Sequence, residues 1–245
     1  MADYIRRNIL CQSYVHAETN GDYEDAIATI KESALPLIET RAKFFLYEDA
    51  EITFDSDQGS VKSRITILGT IVIALQCISG YKDFREGVTL LYEDVQRVAD
   101  VATTETLFAL RARGQQVVRT ESRTGIVGSL HRIISRIDAL QTDSLDRNVE
   151  SKAEDLASVR EEILKLIDNI NDADDVALVA DELYLLVNEI PEHPTPGRRD
   201  PHGLQHIALY QDRRRSVLTA IRASKGARIR FLAARDGDEG SNPAR

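Results

Sequence analysis

Two histidines four residues apart, His202 and His206, come nearest to a metal-binding pattern in this chain. On a helix such a pair shares one face, as a two-histidine zinc motif requires. No Glu follows His202, so the HExxH motif is not formed, and neither Cys11 nor Cys77 lies near it. Gly203 weakens a helix between the two. No metal and no cofactor is expected. Arg199 offers a different chemistry, standing before His206 with six residues between them. An Arg stabilises charge on a phosphate, and a His moves the proton of a 2′-hydroxyl.

An Arg followed at this distance by a His at the head of a helix resembles the pattern of small all-helical ribonucleases of the HEPN type. The resemblance implies RNA cleavage with Arg199 and His206 as the catalytic pair. It covers eight of the 245 residues and departs from the family at Asp200-Pro201, where a loop suits the proline better than a helix interior. No GxSxG elbow, P-loop, GxGxxG or CxxC is present. Gly125-Ile-Val-Gly-Ser129 lacks the Lys-Ser or Lys-Thr that would make it a phosphate turn. The first expectation is therefore a protein that is not an enzyme, with the ribonuclease as the alternative.

Charge is the stronger signal. The net charge is −9, but it is divided unevenly. Residues 141–196 hold fifteen Asp or Glu against four Lys or Arg, whereas residues 197–235 hold ten Lys or Arg against two Asp. Arg213, Arg214, Arg215, Arg222, Lys225, Arg228 and Arg230 form the basic stretch and are the candidate interaction residues. They can track a nucleic-acid backbone. Only Tyr210 and Phe231 are interleaved with them, too few aromatics for a base-stacking platform. The preferred expectation is pairing with the acidic segment or with an acidic protein partner, or self-association.

The chain carries no charge between Arg64 and Lys82. Its most apolar part, Ile65 to Ile78, is below the roughly 20 residues that span a bilayer. It reads as a buried element, although a membrane-active effector could expose residues 65–79 between the anchoring charges of Lys62, Arg64 and Lys82. No apolar stretch long enough for a secretory signal follows Arg6 and Arg7. Two cysteines make no disulfide framework, and Cys77 is expected to pack as a small hydrophobe. The expected setting is the cytoplasm.

The elements that would carry these groups are mainly helical. Asn20-Gly21-Asp22 starts a helix that Pro36 kinks or breaks. Ile52 and Phe54, then Val61, Ser63, Ile65 and Ile67, alternate about a Gly-containing loop and predict one β-hairpin at about 50–68, packed on helices. Residues 69–80 read either as a buried strand, by Ile71, Val72 and Ile73, or as a buried helix, by Ala74, Leu75 and Gln76, and the helix, ended by Gly80, is the favoured of the two. Asp83 and Glu86 start the best helix, with Phe84, Val88, Leu91, Val95 and Val98 on one face. Gln115 to Gly125 reads as a polar loop. Further helices carry Ile126, Leu130, Ile133, Ile137 and Leu140, then Leu156, Val159, Ile163, Leu166 and Ile170, then Val179, Leu183, Leu186 and Ile190, the last capped by Asp174 or Asp175. Four of the six prolines fall in 191–203, a linker or long loop. The expected organisation is a multi-helix domain over 1–190 with the embedded hairpin, the linker, a basic helix over 204–235 and a disordered tail over 236–245. The functional expectation is a subunit or adaptor of a larger bacterial assembly, in general character one of antiviral defence.

Overall fold

A computed structural model describes residues 7–18, 22–57, 61–78, 82–142, 148–194 and 203–239. The chain forms two compact units, residues 1–129 and 130–245.

The first unit sets helices on a four-stranded sheet. The expected hairpin is present as β2 (Glu51–Asp57) and β3 (Val61–Gly69). It is not alone, which corrects the single-hairpin expectation. β1 (Asn8–Ala17) pairs with the free side of β3, and β4 (Val117–Arg123) pairs with β1, so the antiparallel order is β2-β3-β1-β4. An isolated hairpin is marginal in water, and the added strands supply the pairing that stabilises it. The stretch expected to be a polar loop is therefore an edge strand. None of its seven residues is buried, so it shows no apolar alternation to read.

Cys11, Ser13, Val15 and Ala17 of β1 face inward, in line with Val61, Ser63, Ile65 and Ile67 of β3. The polar face runs across the register from Asp55 to Arg64, Tyr14 and Glu121. Glu121 also pairs with Arg119 and Arg123 along its own strand. Opposite charges placed side by side keep such a face hydrated and paired.

Asp22 caps α1 (Tyr23–Thr29) by accepting from the Glu24 N–H. A π-helical turn, Ile30–Ala34, joins α1 to α2 (Leu35–Phe45), which carries Pro36 in its first turn. Pro36 has no N–H and crowds the carbonyl one turn back; the wider π turn accommodates both, so the helix changes register instead of breaking. The apolar run 65–78 is divided between β3 and α3 (Ile71–Cys77), so the helix expected within 69–80 is present but short. Gly80 lies outside the described residues. Cys77 is exposed, and Cys11 is the thiol that packs as a hydrophobe. No helix among the described residues is long and apolar enough to cross a membrane.

α4 (Phe84–Ala109) has Asp83 as its cap, accepting from the Glu86 N–H at 2.9 Å, while Glu86 accepts from the Lys82 N–H at 2.8 Å. Val88, Leu91, Val95 and Val98 of its predicted face are buried, while Phe84, in the first turn, is half-buried. A chain of hydroxyls ties it to the sheet: Ser13 to Thr103 at 2.7 Å and Thr103 to Ser122 at 3.1 Å. Gly125 opens α5 (Gly125–Gln141) at φ +47°, and a Cβ there would collide with the Ile9 carbonyl oxygen. Only glycine meets both demands at low cost.

The second unit holds the rest of α5 with α6 (Val149–Asn169), α7 (Ala173–Asn188) and α8 (Gly203–Glu239). The predicted apolar faces of α5, α6 and α7 are buried. The cap of α7 is Asp172, which accepts from the Asp174 and Asp175 N–H groups, in place of those two residues. α8 packs on α6 and α7 and buries Tyr210, Val217, Ile221 and Leu232. It continues to Glu239, into the stretch expected to be a tail. Pro191 to Pro194 precede it outside any helix, and residues 195–202 of the expected linker lie outside the described residues.

Candidate functional site

A helix ends with four carbonyls that have no partner within it, together with the negative end of its dipole. α6 and α7 both end against α8, and the basic residues of α8 divide according to whether they reach those ends. Arg214 donates from Nε to the Ile190 carbonyl at 3.0 Å and from Nη2 to the Asn188 carbonyl at 2.7 Å. It closes the C-terminus of α7. Arg228 does the same for α6, donating to the Ile170 carbonyl at 2.9 Å and to Asn171 Oδ1 at 3.1 Å. Burial lowers the pKa of Arg228 from the ordinary guanidinium value, with Asp168 opposing the shift and Arg235 adding to it. Between these ends Lys225 meets both carboxylate oxygens of Asp181 at 2.7 Å. Arg222 stacks on the Tyr184 ring, 4.2 Å from its centroid.

Arg213, Arg215 and Arg230 remain exposed on α8, and Arg222 is exposed despite its stacking. Arg215 is 3.9 Å from Asp212, one turn back on the same helix. Beside it, α8 and α6 form an open groove of about 480 Å³. Ser216, Thr219, Ala220 and Ala223 give the groove a low floor, and Arg160 enters from α6. Arg160 Nε is buried with no hydrogen-bond partner among the described residues. Small side chains let a second backbone approach closely; Asp212 also lines the groove beside Arg215, so Arg160 and Arg215 together leave it one positive charge, which favours a negatively charged neighbour.

The seven predicted residues thus share one helix but do not share one task. Arg214, Lys225 and Arg228 hold the unit together; Arg213, Arg215, Arg222 and Arg230 face outward. Sequence reasoning missed Arg160, and it missed Arg235, which donates to the Asn171 carbonyl at 3.3 Å. Arg235 had a readable signal, because a basic residue next in line to Arg228 along a helix face can reach the same helix end. Arg160 had none, since it is one of three scattered cations, with Lys152 and Lys165, on an acidic helix.

The ribonuclease pair is not assembled among the described residues. Arg199 and His202 lie outside them, and His206 Nε2 stands 3.9 Å from Glu150 on α6. No group of three His, Cys, Asp or Glu that could hold a metal ion occurs among the described residues. The chain matches no family model, no curated protein and no solved structure.

Proposed function

We propose that the chain is an interaction protein, a subunit or adaptor of a larger assembly, and that the outward face of α8 with the α6–α8 groove receives an acidic partner. The observation that carries this reading is the division of the basic residues. Those needed inside the unit already have carbonyl or carboxylate partners, whereas Arg213, Arg215 and Arg230 are left exposed along α8, and Arg215 lines a groove floored by small side chains. Two free cysteines fit a reducing, cytoplasmic setting. No observation favours the ribonuclease or the membrane-active reading over this one.

The test is affinity purification from the native host at low salt and without detergent, with wild type and two variants. Replacing Arg213, Arg215 and Arg230 by Glu should remove a stoichiometric protein partner and leave the helical circular dichroism unchanged. Replacing Lys62 and Arg64, on the sheet of the first unit, should leave the partner in place. A partner retained by the α8 variant defeats the reading, and so does nucleic acid recovered in its stead.

A further inference from the structure

The sheet of the first unit has two open sides. Neighbouring strands are antiparallel throughout and the order is β2-β3-β1-β4, so β2 and β4 are the edges and run in opposite directions. An edge strand presents a row of backbone N–H and C=O groups that have no partner strand. Both edge strands have seven residues, and none of their residues is buried. Edges are commonly guarded by Pro, Lys, a bulge or a covering element. Neither strand contains Pro or Lys. The register of β2 is unbroken, and the irregularity in the pairing of β4 lies at its start, between His16 and Ala17 of β1.

The two edges differ in sign. β2 carries Glu51, Asp55 and Asp57 and no cation, whereas β4 carries Arg119 and Arg123 with a single carboxylate, Glu121. Asp55 and Glu121 lie on the polar face of the sheet, and strand alternation puts Glu51, Arg119 and Arg123 there with them. Arg119 and Arg123 share the Glu121 carboxylate, which neutralises one of the two charges. Glu51 meets Arg7 at 3.2 Å, an exposed pair that exchanges partners at little cost.

A second copy set beside the first in the same orientation brings its β2 antiparallel to β4, and the polar faces become continuous. Aligned end to end, Arg119 stands opposite Asp55, Glu121 opposite Thr53 and Arg123 opposite Glu51. A slip of one residue turns one strand's polar side chains onto the other face. A slip of two sets Glu121 opposite Asp55 in one direction and opposite Glu51 in the other. Of these three registers with matching faces, the end-to-end one has two opposite-charge pairs and no like-charge pair. Opposite charges across a strand pair stabilise it and like charges destabilise it. Pairing β2 with a second β2 brings only carboxylates together.

We infer that the chain associates with a second copy of itself by joining the β4 edge of one copy to the β2 edge of the next, in that register. Backbone hydrogen bonds hold the added strand, and the two Arg–carboxylate pairs select the partner edge. The contact is heterologous, so the copies close into a ring or continue as a filament. It does not use α8 and does not rest on the reading of α8 as a docking face.

The experiment is sedimentation equilibrium of the full chain up to its highest soluble concentration, with circular dichroism to follow folding. The mean mass of wild type should rise above that of one chain as concentration increases. Arg119→Glu with Arg123→Glu should abolish the rise, and so should Glu51→Arg with Asp55→Arg. Mixing these two variants should restore it, because the acidic β4 of one then meets the basic β2 of the other. If either reversal does not fold, Arg119→Thr with Arg123→Thr, which suits a strand, should weaken association about tenfold. Replacing Arg213, Arg215 and Arg230 by Glu should leave association unchanged. A wild type that stays a single chain overturns the inference. So does association that survives a folded reversal or is undiminished in the Thr variant, a mixture of folded reversals that does not reassociate, or association lost in the α8 variant, which would place the contact on that helix.

Discussion

At the scale of single residues, the second unit carries an internal cost at Glu182. This carboxyl sits on α7 and is partly buried, and its pKa is raised from the ordinary value by desolvation first and by the Asp181 charge second. A carboxyl with a raised folded pKa holds its proton more tightly in the folded state. Its contribution is fully present below the unfolded value and is lost as pH rises through the folded one. Glu182→Gln removes the loss. The variant should have a higher Tm than wild type at pH 7, and the difference should close as pH falls below the ordinary carboxyl range near 4.3. A difference that stays constant with pH would place the cause in packing instead of charge. Nothing in the sequence distinguished Glu182 from the other carboxylates of the acidic segment, because the burial that perturbs it comes from other parts of the fold.

At the scale of elements, α8 is a helix with two kinds of arginine, and the kinds are separable by stability. Arg228→Met leaves the Ile170 carbonyl and Asn171 Oδ1 without the Arg228 donor and should cost about 2 kcal/mol in urea unfolding. Arg213→Met, on the exposed face, should change stability by less than about 0.5 kcal/mol. Equal effects would mean that the capping bonds are not what secures α8. The helix itself was legible in the sequence, since Tyr210, Val217 and Ile221 recur at helical spacing. Its division of labour was not. A sequence shows that seven cations are near one another, but which of them meets a helix end depends on where α6 and α7 stop. The same reason hid β4. An edge strand such as Val117–Arg123 is held by backbone pairing to β1, and backbone pairing leaves no mark on side-chain type. β2 and β3 could be read because the side chains of β3 alternate from Val61 to Ile67 in the sequence, although in the structure burial alternates only as far as Ile65 and Thr66 is buried as well.

At the scale of the whole molecule, an acidic chain of net charge −9 presents a basic strip. An assembly made through the exposed face of α8 should therefore respond to salt, since the screening length falls from about 10 Å at 0.1 M to about 3 Å at 1 M. The partner should be lost from wild type at high salt while the Tm of the protein itself is kept. A complex that survives 1 M salt would move attention to exposed apolar groups such as Leu37 and Phe44, one α2 face apart by seven residues. The bonds from Arg214, Arg228 and Arg235 are less exposed than the outward charges, and they also link two helix ends to one helix. Amide hydrogens near Asn188 and near Asn169 should then exchange with solvent through a single opening event. If α8 lifts, both ends fray together; while it stays down, neither frays alone.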